Sequence, residues 1–261
     1  MTLQYYTKIL EERFSFFSFY GILIKVIIML EKIQLTKQEK TVLKAILTFL
    51  IFWYGAYVQI IPIKLFHIDT KNLSDKNAVI LSTFSGVVMA IIFLFLYRKD
   101  LKREWKIFKE NLGENMSTGF ACWIIGLVLM VVFNLIFMLV FHTEGAKNEN
   151  LIQAMIKAFP SLMLLDAGIL APFNEEIAFR KTLKDVFAKY KWIGIFASFL
   201  LFGIAHVINN ATVWTDYLFI ISYGSLGATF SYAYYKTDTV FTSMAMHMIH
   251  NIALISLSIL I

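Results

Sequence analysis

The 261-residue chain is poor in charge, with 16% Asp, Glu, Lys and Arg, and it holds one cysteine and three prolines. Water-soluble domains carry roughly 25% charged residues, so an ordinary soluble fold is excluded. Cys122, the single cysteine, cannot form an internal disulfide, and the redox compartment is not readable from it. Internal repeats, low-complexity tracts and a recognisable soluble domain are all absent. No basic stripe carries aromatic side chains free to stack on bases, which excludes a nucleic-acid partner despite the net charge of +6. What fills the chain is apolar: 59% of residues, for a mean hydropathy of +0.68. That surface needs a solvent other than water, and the lipid bilayer supplies one.

Crossing the hydrocarbon core takes about 20 mostly apolar residues in a helix. Stretches of that kind run over Val42 to Ile63, Ala78 to Tyr97, Gly119 to Phe141, Ala158 to Ala178, Trp192 to Ile208, Trp214 to Tyr235 and Val240 to Ile261. An eighth, Phe14 to Leu30, is apolar but contains Lys25, and Met29 is an alternative start. Glu11 and Glu12 precede it and no small-residue cleavage site follows, so it does not read as a signal peptide. The expectation is an all-α, polytopic membrane helix bundle of seven to eight transmembrane helices. Residues 1–41 form an N-terminal segment with an extra membrane or interfacial helix over 14–30, residues 42–157 a first set of membrane helices, and residues 158–261 a second.

Loop charges set the expected orientation. Lys32, Lys37 and Lys40 precede the first clear span, Arg98 to Lys109 follow the second, and Arg180 to Lys191 follow the fourth. The alternate loops are poorer in lysine and arginine. The positive-inside rule places the basic segments in the cytoplasm and the C-terminus outside, in what we expect to be the cell membrane.

Against this background, ionisable groups inside apolar helices are expensive and point to function. One cluster is Pro172-Phe173-Asn174-Glu175-Glu176, followed by Arg180. Glu176 and Arg180 are one helical turn apart and can pair, while Glu175 points about 100° away and is left free. The plain alternative is the wet end of a span with a solvated ion pair. A second is Phe202 and His206 near the end of an apolar helix, where a lone histidine is more often a packed, hydrogen-bonded residue. The third is His247, His250 and Asn251 in the last span, with His247 and Asn251 on one face. Depth links the three. If the fourth and fifth spans turn near Lys191, Glu175 lies sixteen residues before the turn and His206 fifteen after it, so both stand roughly 23 Å from it.

The order Glu175-Glu176-x-x-x-Arg180, Phe202-x-x-x-His206 and His247-x-x-x-Asn251 resembles the CAAX prenyl endopeptidase and bacteriocin-processing (CPBP, or Abi) family. The likeness covers about 158–261; the first half agrees only in being hydrophobic, and His250 stands outside the pattern. The resemblance implies an intramembrane endopeptidase acting on a membrane-associated peptide or protein. Glu175 would activate water as general base and His206 would position it. His247 and Asn251 would donate to the developing oxyanion, and Glu176 and Arg180 would support Glu175. No cofactor is the favoured expectation. Glu175, His206 and His247 also compose a two-histidine, one-carboxylate set able to ligate zinc, although the His-Glu-x-x-His helix that makes zinc compelling is absent. Two rivals remain: a membrane immunity or regulatory protein that binds a peptide without cleaving it, and a small transporter using the acid and histidines as a proton relay.

Overall fold

In the computed structural model, which describes residues 35–70, 72–143 and 147–260, every regular element is helical. The expected helix over 14–30 lies outside the described residues. We number α1 Lys37–Leu65, α2 Asp75–Glu110, α3 Leu112–Phe141, α4 Lys147–Ala158, α5 residues 160–186, α6 Lys191–Val207, α7 Phe219–Thr237 and α8 Val240–Leu260. The chain is an all-α membrane helix bundle. By length and composition alone, α1, α2, α3 and α8 can each cross a bilayer. Apolar α6 is shorter, at 17 residues, and α5 carries the acids that lower its hydropathy. The outer wall is clearest on α3, whose apolar window has a mean hydropathy of 3.0 yet is only 11% buried within the protein. Side chains such as Ile125, Val128 and Leu139 stand exposed there, as a surface solvated by acyl chains requires.

Several boundaries differ from the sequence expectation for identifiable reasons. α1 starts at Lys37, where Thr36 and Glu39 form a capping box, and a 3-10 turn at Gly55–Gln59 interrupts it. The basic segment 98–109 is not a loop: it continues α2, whose 36 residues reach about 54 Å at 1.5 Å per residue, well beyond a hydrocarbon core of about 30 Å. The fourth expected span does not begin at Ala158. A separate helix, α4, ends there; Phe159 leaves the helical conformation (φ −155°, ψ 73°), and Pro160 opens α5 at its first position, where its missing N–H costs nothing. α5 then runs past Ala178 to Val186.

α5 is not a uniform α-helix. It contains π-turns at Asp166–Leu170 and Ile177–Lys181. The first lies just before Pro172, which cannot donate to the carbonyl four residues back and would clash with it. Widening the turn, with Ala171 N–H donating to the Asp166 carbonyl, absorbs the proline without breaking the helix. The second π-turn follows Glu176 directly, and Thr182 closes it through both its backbone N–H and its hydroxyl, each donating to the Ile177 carbonyl.

A buried carboxylate, Glu104, ties four helices together at the end of the bundle away from α4. It is 1% exposed. Its oxygens accept from Tyr234 Oη and from the backbone N–H of Val240, each at 2.9 Å, and Lys181 Nζ lies 3.5 Å away. A carboxylate at the first N–H of α8 also meets the positive end of that helix. Lys181, expected in a solvated basic loop, is therefore 1% exposed and ion-paired inside the protein.

Candidate active site within the membrane helices

The three motifs converge. Glu175 on α5 points one carboxylate oxygen at the Nε2 atoms of His247 on α8, at 3.6 Å, and His206 on α6, at 4.0 Å. These groups, with His250 and Asn251, line a cavity of about 340 Å³ between α3, α4, α5, α6, α7 and α8.

Each histidine is oriented by its other nitrogen. His247 Nδ1 is 2.9 Å from a Glu176 oxygen, and His206 Nδ1 is 2.9 Å from the Phe202 carbonyl. With the Nδ1 protons donated to those acceptors, both neutral imidazoles turn a lone pair toward Glu175. Stacking restrains His206 further, since its ring lies 4.3 Å from that of Phe202 and 4.6 Å from that of Tyr223.

Glu176 is fully buried and serves two partners: His247, and Arg180 through a 3.3 Å contact with Nε. The guanidinium, also fully buried, makes no hydrogen bond. Its charge is met by that carboxylate and by the faces of Phe202 at 4.1 Å and Phe230 at 5.7 Å. The solvated-ion-pair alternative therefore fails, because neither Glu176 nor Arg180 touches solvent.

Asn251 also holds two helices together. Its Nδ2 donates to the Ala167 carbonyl at 2.7 Å, inside the first π-turn, so one of its two N–H groups is already engaged in holding α8 to α5. His250 accepts from the indole Nε1–H of Trp123 on α3 at 3.2 Å, which leaves its proton on Nε2.

Close helix approach sets the position of His206. A side chain at Gly203 would run into the Ile220 carbonyl, and one at Gly224 into Phe199, so glycine lets α6 and α7 touch at the level of the site. Sequence reasoning missed Trp123, Tyr223 and Asp166. Trp123 and Tyr223 lie among other aromatics with no distinguishing signal. Asp166 had one, an acid inside an apolar run. It is 7% exposed and lines a second cavity that reaches Glu175 from the other side.

The donor types at Glu175, His206 and His247 suit zinc, and anchoring of the outer imidazole nitrogens is common around metal ligands. As placed, however, no group of three or more His, Cys, Asp or Glu side chains among the described residues closes into a metal-holding set.

Fold and site together define a class: a membrane helix bundle with a carboxylate–histidine centre buried between its helices. Residues 157–253 match the family described as type II CAAX prenyl endopeptidase Rce1-like. The chain is also similar to a Bacillus subtilis (strain 168) protein named "Putative membrane peptidase YdiL", with 24% identity over 217 residues covering 79% of this chain and 84% of that protein. No solved structure matches. Both likenesses agree with the resemblance that the three motifs carry.

Proposed function

We propose that the protein is an intramembrane endopeptidase, acting in the cell membrane on a membrane-associated peptide or protein, with Glu175 as general base. The observation that carries this reading is the convergence of one Glu175 oxygen with two imidazole Nε2 atoms at 3.6 and 4.0 Å. Acceptors facing one point need a donor between them, and a water molecule can donate to Glu175 and to His206. Glu175 takes a proton from this water while His206 orients it, and the oxygen attacks the scissile carbonyl carbon. The proton passes from Glu175 to His247 Nε2, 3.6 Å away, whose N–H then donates to the oxyanion before the proton returns to Glu175. The second N–H of Asn251 adds a donor on the same helix. Glu175 finally delivers the proton to the amine nitrogen as the C–N bond breaks. Zinc, if bound, would supply Lewis-acid activation of the water at Glu175, His206 and His247.

The test uses a fluorogenic peptide with a prenylated cysteine three residues from its C-terminus. Glu175→Gln and His206→Ala should each lower cleavage by at least about 100-fold, the range expected for a general base, with unchanged accumulation in the membrane. A peptide-binding immunity or regulatory protein would tolerate Glu175→Gln, so full function in that variant would sink the protease reading. Activity should also survive strong chelation. Loss of activity to a chelator with recovery on adding zinc would assign the three side chains as ligands.

A further inference from the structure

Glu175 stands between two cavities of opposite chemistry, and the two share only Glu175 and Ala171 among the residues lining them. The histidine-bearing cavity is described above. The other, of about 420 Å³, has a polar lining that includes Gln59, Asp166, Asn174, Glu175, Asn209 and Asn210. Among the described residues its lining holds two carboxylates and no lysine, arginine or histidine.

The hydrogen bonds around Gln59, Ser85 and Asn174 leave acceptors unpaired. Gln59 spends its amide N–H on Ser85 Oγ at 3.0 Å, Ser85 donates to the Ser82 carbonyl at 2.8 Å, and Asn174 Nδ2 donates to the Gly86 carbonyl at 3.0 Å. The amide oxygens of Gln59 and Asn174, on residues each 4% exposed, have no partner. Asp166 receives a hydrogen bond from Ser82 and has no cationic partner among the described residues. A buried carboxylate in a membrane helix with no counter-charge is costly, and two orphaned carbonyl oxygens beside it add to that cost. Such a lining suits a ligand that brings positive charge and several N–H donors.

We infer that this cavity is the subsite for the leaving-group side of the substrate, with Asp166 as counter-ion for the α-ammonium of the released peptide. The inference rests on the protease reading and extends it to which product goes where. Hydrolysis adds the water oxygen to the carbonyl carbon, breaks the C–N bond and leaves a carboxylic acid and an amine. The acid's proton ends on the amine, because a peptide α-amino group has a pKa near about 8. Carboxylate and ammonium thus form on either side of Glu175. His247 and Asn251 line the first cavity, to which we assign the acyl side; the cavity that holds Asp166 takes the amine side.

The experiment compares two probes bound to purified full-length protein in lipid nanodiscs at pH 7, by calorimetry: the tripeptide amide Leu-Val-Ala with a free α-amino group, and its N-acetyl form. The free amine should bind at least about 10-fold more tightly, the size of one charged hydrogen bond. Asp166→Asn should abolish that preference and Asp166→Glu should retain it. Ala56→Lys, which brings an ammonium into the same cavity from a half-buried position, should also erase it and guards against misfolding of the Asp166 variants. Equal binding of the two probes to the unaltered protein, absence of binding by either, or a preference that survives Ala56→Lys would each overturn the assignment. None of these measurements requires catalysis, so they fail or succeed independently of Glu175→Gln in the cleavage assay.

Discussion

Glu176 illustrates what the tertiary structure adds at the scale of one residue. From sequence it is the partner of Arg180, and neutralising it should be milder than altering Glu175. In the structure it also fixes His247, and both it and Arg180 are fully buried. Glu176→Gln would keep an acceptor for the imidazole but strand a guanidinium that already lacks hydrogen bonds. Removing one partner of a buried ion pair costs about 3–5 kcal/mol. We therefore expect Glu176→Gln to lower both membrane accumulation and cleavage, as read by immunoblot and by the peptide assay. Accumulation at the normal level with near-normal cleavage would show that the pair is dispensable. Glu175, His206 and His247 were legible as candidate site residues because acids and imidazoles in apolar helices are conspicuous. The bond from Asn251 to Ala167 and the one from Trp123 to His250 were not, since each joins helices far apart in sequence.

Among the elements, α5 and the α6–α7 pair control where the reactive groups point. Pro172 is visible in the sequence as a disturbance of the helix, but propensity alone does not say whether the chain kinks, breaks or widens. Here it widens into a π-turn, which Asn251 pins through the Ala167 carbonyl. The glycines of α6 and α7 are equally visible, yet their purpose depends on which helix they face. Gly203 meets the backbone of Ile220, three residues before His206. Gly203→Val should push the two helices apart, cost about 1–3 kcal/mol by overpacking, and displace His206 from Glu175. The expected outcome is a lower melting temperature in detergent together with a severe loss of cleavage. A stable, fully active Gly203→Val protein would contradict the close-contact account.

For the whole molecule, orientation follows from charge. The basic end of α2 projects beyond the hydrocarbon thickness and meets α3 at exposed Asn111. The positive-inside rule places this end in the cytoplasm. In a Cys122→Ala background, a cysteine at Asn111 should resist an impermeant thiol reagent added to intact cells and react once the membrane is opened. Efficient labelling from outside would invert the topology, and with it the side on which Glu104 clamps α2, α5, α7 and α8.

Composition and periodicity by themselves determined that the chain is a helical membrane bundle, because a surplus of apolar residues in runs of about 20 has few other physical outlets. Motif order and depth brought Glu175 and His206 to one level, since helical rise is nearly constant along an antiparallel pair. Only the tertiary structure decided that Glu176 and Arg180 are sealed from solvent, that Lys181 is an internal ion-pair partner rather than a loop charge, and that Asp166 stands in a cavity reaching Glu175. The reason is physical. Burial, counter-charge and cavity chemistry belong to which helices pack together, and a sequence read along one helix at a time records the faces without recording what they face.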